Sequence, residues 1–320
     1  MESSDLIILL ILLGCMATYI PVFMCLFFSA MLGFLLFTSM PVMLVTQTLF
    51  RSLDNFALVV VLFFILCGNV MTSGQIVAKL VRVANALVGW LPGGLGMAGV
   101  IACGLFGAIS GSTVATVVAI GGFMIPALME NGYHERYTLG LMATSPNLGV
   151  IIPPSISMIL YSMISNVSLE GLFLTGFLPG LLIILGVCGY TWMVYRSKNA
   201  PVLTAKRFTS EDVIPALREG IWALLLPVII FGGIFSGVFT ANEAAVVACV
   251  YAFAVELLIH KSMTLKDVRK ITVESAITSA TLLIIVAGAT CFGRFLTLEN
   301  IPGRLTAMVL TNVNSPIFFL

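Results

Sequence analysis

The sequence predicts an all-α polytopic membrane protein, and three observations carry that prediction. Only 9% of the 320 residues are charged and 60% are hydrophobic, against roughly 25% charged in a soluble domain. The mean hydropathy is +1.13. Apolar runs of about 17 residues or more, each long enough to carry a helix across a bilayer, recur along the chain. With a formal net charge of +1, no nucleic-acid partner is expected, and the lipid bilayer is the solvent the composition calls for. The opening residues Met1-Glu2-Ser3-Ser4-Asp5 are acidic and lack the basic region of a signal peptide, so the first apolar segment reads as a retained helix.

Each element follows from its own pattern. Residues 6–37 are apolar with Pro21 near the middle, too long for one untilted span, and read as two helices or one kinked helix. Residues 41–53 are short and amphipathic, and 55–71 form a span. Residues 75–90 are amphipathic with Lys79 and Arg82, the pattern of a helix lying along the interface. Residues 92–129 are apolar but interrupted, and 137–164 are a span broken at Pro153-Pro154. Residues 172–195 form another span, followed by a long polar loop, 196–219. Two tightly joined spans, 221–239 and 241–259, precede a further span at 272–296, and the chain is apolar again from 305 to its end.

Charge sets the expected topology. Arg196, Lys198, Lys206, Arg207 and Arg218 lie in one loop, and Lys261, Lys266, Arg269 and Lys270 in a loop two spans later. Arg136, Lys79 and Arg82 join them on the cytoplasmic side if residues 92–129 enter the membrane and return. Five, four and three then make 12 of the chain's 15 Lys/Arg. A single crossing by 92–129 destroys that bias, so the positive-inside rule favours a re-entrant hairpin with both ends inside.

The interruption is the polar, Gly-rich stretch GAISGSTVAT at 107–116. Two half-helices of roughly a dozen residues are expected to meet at Ser110-Gly111-Ser112-Thr113. Irregular backbone at membrane depth is tolerated only where protein or a water-filled cavity covers it, and discontinuous helices hold substrates and ions in secondary transporters. The alternative is a Gly-Ser kink at a helix crossing. The second anomaly is MATSPNLGVIIPPSISMILYS at 142–162. Pro153-Pro154 removes two backbone donors and prevents a continuous helix. The freed carbonyls and the hydroxyls of Thr144, Ser145, Ser155 and Ser157 form an oxygen-only set suited to a hard cation such as Na⁺, with a packing kink as the alternative. The candidate ion and substrate ligands are Ser110, Gly111, Ser112, Thr113, Thr144, Asn147, Gly149, Pro153, Ser155 and Ser157. Ser110, Ser112, Asn147 and Ser157 are the side-chain candidates for Na⁺.

Other polar positions read as structural. Thr240-x-x-Glu243 before an apolar run is a capping box, with an ion or proton role as the alternative. Arg294, late in an apolar span, either snorkels to the outer interface or faces an anionic path. Cys15, Cys25, Cys67, Cys103, Cys188, Cys249 and Cys291 sit in apolar segments without a C-x-x-C pair and read as small hydrophobes. His134 and His260 read as surface residues of short loops. Most of the 14 Asp/Glu fall at span ends or in loops, so an enzyme is not expected and no catalytic residues are assigned.

Together the residues resemble the large membrane subunit of TRAP transporters, the tripartite ATP-independent periplasmic family. FFILCGNVMTSGQ (63–75), GLFGAISGSTVAT (104–116), NLGVIIPPSISMILY (147–161) and GVFTANEAAVVA (237–248) carry the resemblance. It implies an ion-transporter architecture of inverted repeats, each with a re-entrant hairpin and a broken helix, working by an elevator-like shift. It implies a permease of the bacterial inner (cytoplasmic) membrane that imports organic acids by Na⁺ symport, C4-dicarboxylates or sialic acids among them. Na⁺ is then the coupling ion, with no organic cofactor, and the partners are a small TRAP membrane subunit and a periplasmic substrate-binding protein. The implied organisation is scaffold helices at 1–53 and a first repeat at 54–170, holding the hairpin (92–129) and the broken helix (137–164). Scaffold helices and cytoplasmic loops follow at 171–271, and 272–320 begin a second repeat that stops at NSPIFFL and reads as incomplete. Two alternatives stay open, a Na⁺–dicarboxylate symporter that needs no binding protein and a non-transporting scaffold subunit.

Overall fold

The computed structural model describes residues 3–38, 41, 43–165, 167–196 and 210–312. Among these residues every regular element is helical, and six helices are long and apolar enough to cross a membrane, or seven if one bent pair counts as a span. The chain is an all-α polytopic membrane protein. In chain order the helices are α1 (Ser3–Ala17), α2 (Val22–Phe37), α3 (Met43–Leu53), α4 (Phe56–Ser73), α5 (Ile76–Val88), α6 (Gly94–Ser110) and α7 (Thr113–Glu130). They continue as α8 (Glu135–Ile151), α9 (Ile156–Ser165), α10 (Leu169–Arg196), α11 (Ser210–Phe235), α12 (Ala241–Ile259), α13 (Leu265–Leu298) and α14 (Ile301–Asn312).

The chain forms two compact units, one of Met1–Phe56 with Ala280–Leu320 and one of Ala57–Ser279, and the boundaries between them fall at the start of α4 and within α13. In the first unit the apolar stretch at 6–37 is two helices, parted by Thr18–Pro21 with Tyr19 at φ 59°. Its core gathers Ile8, Ala30, Phe34, Val45, Cys291, Phe295 and Ile301. Phe34 and Phe295 meet edge to face with centroids 5.8 Å apart, a preferred aromatic geometry. Gly33 leaves the room, because a Cβ there would stand 2.7 Å from the Phe295 ring. The chain's last residues, 313–320, with the NSPIFFL ending, lie outside the described residues.

The second unit places the two interrupted segments. α12 buries Ala241, Ala244, Ala245, Ala248, Cys249 and Ala252 and packs along α4; small residues let two membrane helices approach closely. α5 buries Ile76, Val77, Leu80, Val81, Val83 and Ala84. That apolar face is covered by α6 and α11. Gly220 of α11 admits Val83, whose Cγ2 would be 2.3 Å from a Cβ at that position. Arg82 and Lys79 meet Glu219 at 2.6 and 3.8 Å, half-exposed pairs of small energetic weight. Residues 210–219, read as loop, are the first turns of α11, and 197–209 lie outside the described residues. Helix α10 closes on the interrupted segments through Gly176 and Gly180. Cβ atoms there would meet Met158 Cε at 2.6 Å and Ile152 Cγ1 at 2.5 Å.

Candidate functional site

Residues 92–129 do fold back on themselves. α6 and α7 are joined by Gly111 and Ser112 alone. Their far ends meet, since a Cβ on Gly99 would be 3.0 Å from Met124 Cε, and the Tyr133 hydroxyl accepts from Gly96 N–H at 3.2 Å. Burial pushes the Tyr133 phenol up to about 12, so it stays neutral at physiological pH. The arms are longer than a dozen residues, at 17 and 18. At 1.5 Å per residue each is about 26 Å long.

The tip is built by its sequence. α6 ends because Gly111 adopts φ 62°, ψ 14°, the left-handed conformation that glycine takes without a Cβ penalty. Ser112 then opens α7 as its N-cap, with its side chain accepting from Ala115 N–H at 3.4 Å. The buried Thr116 donates its hydroxyl to the Ser112 carbonyl at 2.7 Å, and its Oγ1 lies 3.4 Å from Ser110 Oγ. The Ser110 hydroxyl in turn accepts from Ser112 N–H at 3.4 Å. Thr113 is half-buried at the start of α7. Beyond the tip, Val117–Gly121 widen into a π-helical turn, a local irregularity frequent at functional sites.

The second interruption lies against this tip. α8 and α9 are bent by 41° around Ile152–Ser155, with a cis Pro153–Pro154 peptide. Ile156 N–H, freed by the break, donates to the Gly111 carbonyl at 3.3 Å. A Cβ on Gly107 would stand 2.5 Å from Gly149 Cα, one on Gly149 3.0 Å from Thr116 Oγ1, and one on Gly111 2.9 Å from the Pro154 carbonyl oxygen. The two backbones therefore touch without side chains between them. Helix α4 backs the tip, since a Cβ on Gly68 would be 3.0 Å from Ser110 Cβ.

The candidate ligands divide by position. Ser110, Gly111, Gly149, Pro153 and Ser155 are buried at the junction. Ser145 and Ser155 hydroxyls are enclosed and have no hydrogen-bond partner among the described residues. Buried polar groups normally find one. Thr144 is exposed and donates to the Gly140 carbonyl of its own helix at 2.8 Å, so Ser145 is the hydroxyl turned inward. Asn147 and Ser157 are exposed beside the break. Thr240 and Glu243 form the expected capping box, with Glu243 Oε2 accepting from Thr240 N–H at 2.8 Å and Thr240 Oγ1 accepting from Glu243 N–H at 3.3 Å. Arg294 is exposed. Two residues escaped the sequence. Thr116 closes the tip turn from inside the GAISGSTVAT stretch. His260, read as a surface residue, has a side chain only 5% exposed and faces Glu256, which is fully buried.

Discontinuous helices that meet at polar interruptions also occur in secondary transporters. The model of the tripartite ATP-independent periplasmic transporter DctM component matches residues 9–320. The chain belongs to that family. It is 37% identical over 316 residues to the C4-dicarboxylate TRAP transporter large permease protein DctM of Rhodobacter capsulatus, covering 94% of this chain and 71% of the relative. It is 33% identical over 308 residues to the sialic acid TRAP transporter large permease protein SiaM of Vibrio cholerae, covering 96% and 72%. To the ectoine/5-hydroxyectoine TRAP transporter large permease protein UehC of Ruegeria pomeroyi it is 35% identical over 263 residues, 82% of this chain and 61% of the relative.

Proposed function

We propose that this TRAP permease is the Na⁺-coupled importer of an organic acid in the bacterial inner membrane. The acid, of the C4-dicarboxylate or sialic-acid type, is delivered by a periplasmic binding protein, and a small membrane subunit completes the assembly. The relatives named for C4-dicarboxylates and sialic acid support the substrate class. One observation carries the ion reading: the hairpin tip and the Pro-Pro break are in backbone contact, and the broken segment buries two hydroxyls that have no hydrogen-bond partner among the described residues. The enclosed atoms are the Ser145 and Ser155 hydroxyls. The same junction carries the Ser110 hydroxyl, which accepts from Ser112 N–H, the Gly111 carbonyl, which accepts from Ile156 N–H, and the Pro154 carbonyl, against which Gly111 packs. An oxygen-only set of this kind replaces the water around a hard monovalent cation. Transport by an elevator-like movement requires the tip and break to travel as one body, and the Gly107–Gly149 contact supports that. The loop 260–270 and residues 134–136 face the cytoplasm in this reading.

The test is uptake of a labelled C4-dicarboxylate into vesicles that hold the permease and its small subunit, with binding protein outside. A Na⁺ gradient should drive accumulation and a K⁺ gradient should not. Equal uptake under both gradients removes the Na⁺ reading.

A further inference from the structure

Glu256 is a fully buried carboxylate in the last turn of α12. There the helix widens into a π-helical turn over Val255–Ile259, closed by His260 N–H donating to the Val255 carbonyl at 2.8 Å. Glu256 Oε1 accepts from the backbone N–H groups of Gln75 and Ile76 at 2.9 and 2.8 Å. Oε2 accepts from the Ser262 hydroxyl and faces His260 Nδ1 at 3.2 Å. Burying a charge is costly unless it is paired and hydrogen-bonded. Here two of the partners are the orphan amides at the start of α5, where the helix dipole favours an anion. The cap comes from a helix 180 residues away in sequence. Gly74, at the corner between α4 and α5, is shaped to receive it, since a Cβ there would stand 2.1 Å from Glu256 Cδ.

Both helices that leave this corner touch the first arm of the hairpin. α5 packs along α6, and Gly68 of α4 lies against Ser110, the last residue of that arm. We infer that Glu256 is a positioning residue for the hairpin tip. By pinning the α4–α5 corner it holds Gly68 and α5 where they back the arm ending in Ser110. The inference rests on the proposed ion site for its effect on transport, but its effect on the tip does not depend on that site. Gln at position 256 keeps an acceptor for the two amides and offers N–H to Ser262 and His260, so the corner stays seated. Ala removes the acceptor from both amides and leaves that of Ile76 buried without it.

The experiment is hydrogen exchange on the membrane-embedded protein, read at 75–80 and at 107–116, paired with Na⁺ titration of uptake normalised to the amount of permease. Glu256→Ala should accelerate exchange of the Gln75 and Ile76 amides about tenfold or more and accelerate exchange at 107–116 as well. It should raise the Na⁺ half-saturation roughly two- to thirtyfold, the range for mutations acting through a neighbouring element. Glu256→Gln should return both readouts to wild type. Gly74→Ala displaces the same carboxylate from the other side and should reproduce the Ala result, so it decides the matter if Glu256→Ala is not recovered in the membrane. Faster exchange at 75–80 with unchanged exchange at 107–116 overturns the inference and leaves Glu256 as a local cap. Faster exchange at both segments with unchanged Na⁺ half-saturation upholds the positioning role and counts against the ion site instead.

Discussion

Gly107→Ala and Gly122→Ala separate the contact at the site from the conformational effect of glycine. Both residues are helical, one on each arm of the hairpin. Replacing a helical glycine by alanine gains about 1 kcal/mol of helix propensity. At Gly122 nothing lies within 4 Å of the new Cβ, so that gain stands. At Gly107 the new Cβ lands 2.5 Å from Gly149 Cα and 2.8 Å from Gly149 N. The obstacle is backbone and cannot rotate away. An ordinary carbon contact is about 3.5–4.0 Å, so the arm and the break must part by roughly 1 Å. Overpacking of this kind costs typically 1–3 kcal/mol, which equals or exceeds the propensity gain. A 1–3 kcal/mol cost in the assembled site corresponds to about a 5- to 150-fold loss of occupancy at one tenfold per 1.4 kcal/mol. Na⁺-dependent uptake per molecule and thermal unfolding of the purified protein are the assays. Gly122→Ala should transport normally with equal or higher stability, and Gly107→Ala should need much more Na⁺. Wild-type Na⁺ half-saturation in Gly107→Ala would refute the claim that arm and break form one site.

Three further outcomes are expected. Ser112→Ala should raise the Na⁺ half-saturation, because the hydroxyl that caps the turn at the tip is lost, while leaving permease levels close to normal, since that N-cap bond at 3.4 Å is worth only about 1 kcal/mol; Na⁺ titration of uptake beside a membrane blot checks both. Thr240→Ala should lower unfolding stability by about 1 kcal/mol through loss of the α12 cap and leave Na⁺ half-saturation untouched, which a denaturation curve and the same titration measure. A single cysteine at Glu135, in a background where the seven native cysteines are replaced, should resist a membrane-impermeant thiol reagent applied to intact cells. Rapid labelling there would contradict the topology in which both hairpin ends face the cytoplasm.

The features legible in the sequence are those whose cause is local. Gly111 followed by Ser112 ends one helix and caps the next, and the charge parity of the flanking loops requires the chain to turn there. Pro153-Pro154 breaks a helix whatever surrounds it. Thr240-x-x-Glu243 closes a hydrogen-bonded box within four residues. What was not legible depends on distant partners. VELLIH at 255–260 gives no sign that Glu256 will cap Gln75 and Ile76, or that His260 will be drawn inside with it. Residues 75–90 have an amphipathic face, and whether lipid or α6 and α11 cover it is decided by glycines such as Gly220 that sit far off in the chain. The start of α11 was hidden for a different reason. The polar stretch 196–219 read as one loop, whereas acids such as Glu211 and Asp212 are also the mark of a helix start. Thr144 and Ser145 are neighbours with equal chemistry, and only the helix phase at the junction decides which hydroxyl faces inward.

The central claim is that the hairpin tip and the Pro-Pro break bind one ion together. Hydrogen exchange of the permease with its small subunit, measured in Na⁺ and in choline at equal ionic strength, tests it directly. The account predicts that Na⁺ slows exchange at 107–116 and at 147–157 in the same concentration range, and that choline slows neither. Na⁺ protection of one segment without the other, or of neither, would contradict it.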